Sequence, residues 1–155
     1  MSDYFLLFSS HFDRDTGLDS GRLRLVSLSK GHQEIWIASS SIATKQGNES
    51  FHNYGGYIPP EYRVPGLANW TVNTKPIYMP HVKGVEGNFY QITPFSVTTD
   101  RHGKRGDFGI HLDANAPGSL GCIVMSVGRF RQFERWMKEL TQKSIKQIPL
   151  FVTYS

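Results

Sequence analysis

The sequence predicts a mainly β domain with one main α-helix near the C-terminus, and three observations carry that prediction. Period-two alternation recurs in short stretches, most clearly in Arg22-Leu-Arg-Leu-Val-Ser-Leu28. Fifteen glycines and eight prolines are scattered along the chain, as short strands joined by tight turns require. Helical spacing stands out only between Arg129 and Leu140, where Phe130, Phe133, Trp136, Met137 and Leu140 fall at i, i+3, i+6, i+7 and i+10.

Taken in order, Tyr4 to Phe8 reads as a short buried strand. Gly17 to Gly21 reads as a turn, and the stretch from Arg22 as a half-buried strand with Leu23 and Leu25 on one face. Glu34-Ile-Trp-Ile-Ala-Ser comes next as another strand, with Lys30-Gly31-His32 as the hairpin turn. Lys45 to Asn53 is polar and reads as an exposed loop. Gly55 to Val64 holds two glycines and two prolines, which exclude helix and predict an extended segment leading into a strand. Residues 65–87 read as a long irregular connection, of the kind that forms lids or cleft walls. Asn88 to Val97, Phe108 to Leu112 and Leu150 to Tyr154 are the remaining strands expected. Ser126 is placed to cap the helix, and its apolar stripe reads as core rather than as a cofactor box.

At 155 residues the chain is expected to be a single domain spanning 1–155. The formal charge of +4 favours an anionic partner, whether nucleic acid, an anionic membrane surface or anionic wall polymer. With one cysteine, no intramolecular disulfide can form, so the fold rests on packing. The first ten residues carry no basic n-region, so no signal peptide is expected, and no stretch has the roughly 18 apolar residues of a membrane span.

The chemistry concentrates in Gly109-Ile-His-Leu-Asp-Ala-Asn-Ala-Pro-Gly-Ser-Leu-Gly-Cys-Ile-Val-Met125. His111 lies at the end of a short strand, and Cys122 opens an apolar run directly after Gly121. The loop between them can fold back and bring the two side chains together. A thiol with a pKa near 8.5 is mostly protonated at neutral pH, whereas attack requires thiolate. An imidazole within reach can take the proton and return it to a leaving amine. Glycine before the nucleophile lets backbone approach a carbonyl, and backbone N–H groups there can hold an oxyanion. These residues describe a cysteine acyl-transfer site.

In these residues the sequence resembles the L,D-transpeptidase (YkuD-type) family. Its members carry a histidine at a strand end, a loop, and then a Ser-His-Gly-Cys signature with an aliphatic residue after it. Here His111 matches the histidine and Ser119-Leu-Gly-Cys-Ile123 the signature, while Gly55 to Val64 is similar to the family's segment approaching the cleft. The likeness runs from about Gly21 to Met125, and the Pro-Gly-Ser-x-Gly-Cys-Ile form is closest to a short-loop branch of phage and secreted-effector members. Leu120 replaces the signature's own histidine, Val124 an Arg or Asn, and Leu112 a glycine. His111 and Cys122 are 11 positions apart, below the family's usual spacing. The departures leave both hydrolysis and transpeptidation open.

The resemblance implies an L,D-transpeptidase-like β-sandwich or barrel that needs no cofactor and no metal. It implies that Cys122 attacks the third stem residue of peptidoglycan and expels the group beyond it, usually D-alanine. Water would then give an L,D-carboxypeptidase or endopeptidase, and an amine a cross-link. It also implies that Ser119 orients the loop or substrate, that Gly121 and Cys122 N–H groups form the oxyanion hole, and that a backbone carbonyl orients His111, with Asp113 as the alternative. Peptidoglycan stem peptides are then the partner. The expected setting is the bacterial cell wall, reached as a phage lysin or a secreted effector.

Arg101, Lys104 and Arg105 crowd the segment before His111. They read either as a solvated turn or as a fork for stem carboxylates. Tyr57, Tyr62 and Trp70 read either as cleft lining or as core. Arg101, Arg105, Tyr57, Tyr62 and Asn115 are the candidate substrate-binding residues. Two rivals stand beside this reading. One is a zinc amidase using His81, His102 or His111 with Cys122, although no HExxH or CxxC spacing occurs. The other is a non-catalytic wall-binding or virion structural module on the same scaffold. Nucleic acid is not expected as a partner, since no reading motif appears.

Overall fold

A computed structural model describes residues 3–13, 17–18, 21–40, 57–100, 103–113 and 121–155. The strands are β1 (Tyr4–Ser10), β2 (Phe12–Asp13), β3 (Gly17–Leu18), β4 (Gly21–Ser27), β5 (Gly31–Ala38), β6 (Trp70–Asn73) and β7 (Ile77–Met79). They continue as β8 (Gly87–Thr93), β9 (Ser96–Thr99), β10 (Gly103–Gly106), β11 (Gly109–Leu112), β12 (Ile123–Met125) and β13 (Gln147–Tyr154). One α-helix, α1 (Val127–Gln142), is found among the described residues, preceding β13. None of the described helices is long and apolar enough to cross a membrane. The protein is therefore mainly β, with its helix near the C-terminus.

The large sheet is mixed, in the order β12-β11-β8-β6-β13-β1-β4-β5, with β7 added beside β8. The β1–β13 and β11–β12 pairs are parallel, and the other neighbours are antiparallel. Its two ends then meet. Directly after β5, Ser39 N–H donates to Val124 O (3.0 Å) and Val124 N–H donates to Ser39 O (2.8 Å). The hydrogen-bonded path thus returns on itself at β12, and neither end strand is left as an open edge there.

Alternation explains which face is inside. On β1, Tyr4, Leu6 and Phe8 are buried, and on β4, Leu23 and Leu25. Trp36, Val72, Ile92, Ile110, Ile123 and Leu150 complete the same interior from other strands. The helix closes over it with Phe130, Phe133, Met137 and Leu140. Phe133 meets Trp36 and Tyr90 edge-on, with ring centroids 5.7 and 5.1 Å away. Ser126 is the N-cap residue, but its hydroxyl does not cap the helix and instead accepts from Arg129 Nη1 at 3.0 Å.

Five expectations change. Gly17 to Gly21 is not a turn throughout, because Gly17–Leu18 is β3 and Gly21 opens β4. Asn88 to Val97 is not one strand but parts of two, β8 and β9, with Pro94 between them. The segment to Val64 does not lead into a strand but into a 3-10 turn, Glu61–Arg63. Residues 65–87 are not irregular throughout, because they contain β6 and β7. Trp70-Thr-Val-Asn73 is too short for its alternation to be read alone, and it becomes a strand because β13 pairs with it from Leu150 to Gln147. Trp70 is wholly buried with its indole N–H on Pro59 O (3.1 Å), so it is core and not cleft lining. The first hairpin turn falls one or two residues early, with Gly31 at φ 82° opening β5.

Replacing Phe133 with alanine removes an interior ring that contacts both the sheet and Phe130, and is expected to cost about 3–5 kcal/mol in chemical denaturation.

Candidate functional site

The site residues arise from the register of three adjacent strands. In the parallel pair β11–β12, Ile110 faces Ile123 and His111 faces Val124. In the antiparallel pair β11–β8, Ile110 faces Tyr90 and His111 faces Phe89. Because side chains alternate, Ile110, Ile123 and Tyr90 point into the core, and His111, Val124 and Phe89 share the opposite face. Continuing the parallel register back one residue sets Cys122 beside Gly109, on the same face as His111. Eleven positions of sequence become a diagonal between neighbouring strands.

His111 is only 6% exposed. Its Nδ1 lies 2.8 Å from Leu112 O, and since a carbonyl can only accept, Nδ1 carries the proton. The neutral ring therefore presents a lone pair at Nε2. Burial pulls the imidazole pKa below its ordinary 6.5, partly opposed by the Leu112 carbonyl and by the charge of Asp113. Phe89 stacks against the ring, with centroids 6.1 Å apart and planes 25° apart. That stacking depends on Gly109, where a Cβ would overlap the Phe89 ring.

Cys122 is half-buried, and its Sγ–H donates to Asp107 O at 3.3 Å. Burial pushes the thiol up to about 11, with the Asp107 charge adding to the rise and a backbone hydrogen bond from Gly109 opposing it. At neutral pH the thiol is protonated, and any attack requires a base.

The residue before the cysteine is fixed from three directions. Gly121 has φ 112°, a conformation that side-chain-bearing residues rarely adopt. Its N–H donates to Ser40 O at 3.3 Å. A Cβ there would lie 2.9 Å from the Arg105 guanidinium and 3.0 Å from the Phe108 ring. Arg105 itself donates from Nη1 to Tyr57 O at 2.5 Å and lies over Phe108, 5.3 Å from its centroid. Burial lowers its pKa, and no carboxylate among the described residues forms an ion pair with it.

Behind this layer, Tyr57 packs edge-on against Tyr154 at 4.7 Å, and the Tyr154 hydroxyl donates to Ile58 O at 2.5 Å. Ile58 N–H in turn donates to Ser40 Oγ at 2.9 Å. Ser40 thus joins residues 57–58 to Gly121.

Of the residues picked from the sequence, Tyr57, Arg105 and Gly121 are in contact, Cys122 follows Gly121, and His111 lies on the neighbouring strand two residues beyond Gly109. Tyr62 does not join them: it is 75% exposed on the 3-10 turn, with Arg63 over its ring at 5.2 Å. Ser119, Asn115, Arg101 and His102 lie outside the described residues. Lys104 and His81 are exposed, and no group of three or more His, Cys, Asp or Glu that could hold a metal occurs among the described residues. Sequence reasoning missed Phe89, Asp107, Ser40 and Tyr154. A Gly-Asp dipeptide before a strand was the one local signal for Asp107, whereas the others act through long-range register.

The raised thiol pKa has a direct consequence. Alkylation of Cys122 by iodoacetamide is expected to be slow at pH 7 and to climb about tenfold per pH unit toward pH 11. An inflection near or below pH 8.5, tracked by mass spectrometry of the labelled protein, would contradict the buried environment of the thiol.

No protein-family model, curated protein or solved structure matches the chain.

Proposed function

We propose that this protein is a cysteine acyl-transfer enzyme acting at an L,D bond of peptidoglycan stem peptides, on an L,D-transpeptidase-like β scaffold. The observation that supports the reading is the β11–β12 register: continued one residue back from Ile123, it sets Cys122 on the sheet face of His111, whose Nδ1 is held by a carbonyl.

The Cys122 proton passes to His111 Nε2 as sulfur adds to the stem carbonyl. The tetrahedral oxyanion collapses to a thioester, breaking the C–N bond, while the imidazolium returns its proton to the departing amine. Water or a second amine then attacks the thioester with the same base, and the thiol is regenerated. Gly121 N–H is engaged by Ser40 O, which takes it out of the oxyanion role. Arg105, half-buried beside Gly121, is suited to a stem carboxylate.

One observation favours a second reading. A thiol raised to about 11 and bonded to Asp107 O is also what an inert cysteine looks like, in a wall-binding module that performs no chemistry. Mass spectrometry of tetrapeptide-stem muropeptides separates the two. Loss of D-alanine or a new cross-link with wild type, abolished in Cys122→Ala, supports the enzyme. Unchanged muropeptides with folded wild type support the module.

His111→Ala is expected to lower the rate by about 10²–10⁴-fold with the fold retained. Because the histidine pKa is lowered, its base form is present above its own titration. The acid limb of kcat/KM is therefore expected below pH 6.5, and a limb centred above that value would exclude His111 as the base.

A further inference from the structure

The net charge of the protein is carried by one segment. Residues 127–146 hold six Lys or Arg (Arg129, Arg131, Arg135, Lys138, Lys143, Lys146) against Glu134 and Glu139, a net of +4. The other residues hold eleven cations against eleven carboxylates, so they contribute nothing to the formal +4. The formal net charge is therefore concentrated in this segment.

A groove runs along this segment. One part, of about 470 Å³, lies between α1 and the strands, lined by Lys75, Arg135, Lys138, Glu134 and Thr141 among others. It continues past Lys75 and Thr141 into a second part of about 780 Å³ that ends at Ser144 and Lys146. Lys75, Arg135, Lys138 and Lys146 are exposed, and among the described residues none of them forms an ion pair. The groove's carboxylate, Glu134, is turned inward: its Oε2 accepts from Asn88 Nδ2 at 2.6 Å and from the Tyr90 hydroxyl at 3.1 Å. Its hydrogen bonds are made to the strands and it pairs with none of the groove's cations, so the four cations and this carboxylate leave the lining at a net of +3.

We infer that this groove binds a flexible phosphodiester polyanion without bases, a polyol-phosphate chain. Its shape is concave and elongated, which admits a strand of polymer rather than the flat surface of a bilayer. Its lining offers no aromatic platform for bases, since Tyr90 is 2% exposed with its hydroxyl engaged. Three of the four cations are lysines, point charges that suit a rotating phosphate, whereas planar carboxylates favour the arginine fork. The groove shares no residue with the Cys122 site, so the inference does not rest on the proposed chemistry.

The test is binding of the full chain to poly(glycerol phosphate) by fluorescence anisotropy at low and raised salt. Oligo(dT) of matched charge and vesicles rich in phosphatidylglycerol serve as comparison probes. Combined Lys75→Gln, Lys138→Gln and Lys146→Gln is expected to weaken polymer binding at least about tenfold at low salt. Combined Lys30→Gln, Lys83→Gln and Lys104→Gln removes the same net charge elsewhere and is expected to change it less than about twofold. Cys122→Ala is expected to bind as wild type does. Equal losses in the two triple variants would show only net charge and overturn the site, as would tighter binding of oligo(dT) or vesicles than of the polymer. Circular dichroism of both triple variants confirms that surface substitutions have not unfolded them, and single Lys138→Gln, expected to weaken binding by a smaller factor in the same direction, gives the readout if one has.

Discussion

The parallel pairing of β11 with β12 is the constraint on which the site depends. A parallel pair aligns residues in the same chain direction, so the His111–Val124 register fixes where Cys122 must fall relative to the imidazole. That pair also sits at the seam of the sheet, where Val124 exchanges two hydrogen bonds with Ser39 from the far end. Without that seam, β12 would be an edge strand of three residues held on one side. With it, the strand that directly follows Cys122 is bonded on both sides, which anchors the backbone next to the thiol.

Burial acts on both partners in the same direction. It lowers the His111 pKa and raises that of Cys122, so the resting pair is neutral thiol and neutral imidazole. A preformed thiolate–imidazolium pair would call for the opposite shifts. For the proposed acyl transfer these shifts call for general-base attack, with the proton moving as the carbon–sulfur bond forms. Leu112 O would serve that proposed role, because it holds the proton on Nδ1 and leaves the lone pair on Nε2.

Much of the fold was legible locally, and the rest was not for identifiable reasons. The helix could be read because its apolar residues repeat over three turns, and they are the ones the structure buries, Trp136 being half-buried. The strand at Arg22 could be read because alternation runs over the seven residues of β4, and the one at Glu34 because Ile35-Trp36-Ile37 is a run of strand-favouring side chains in β5. β6 could not, since four residues give no period and its strand character comes from β13, some seventy-five positions away. At the site, His111, Cys122, Gly121 and Arg105 were chosen for their residue types and for a motif. Ser40 and Tyr154 have no such mark: a serine and a tyrosine matter here only because the sheet brings them behind Gly121.

Two missing side chains shape the ground around the cysteine. At Gly109 the absent Cβ is filled by the Phe89 ring, which in turn flanks His111. At Gly121 the absent Cβ is filled by the Arg105 guanidinium and the Phe108 ring. One glycine therefore admits the ring that stacks on His111, and the other admits a cation next to Cys122. The Arg105 charge is half-buried, bonded to a neutral carbonyl and lacking a carboxylate among the described residues, an arrangement that costs free energy in the isolated protein. An anionic substrate group seated beside Gly121 would recover that cost on binding. The positive φ of Gly121 and the half-buried guanidinium packed against it then belong to one feature, a cation beside the thiol that no carboxylate among the described residues pairs with.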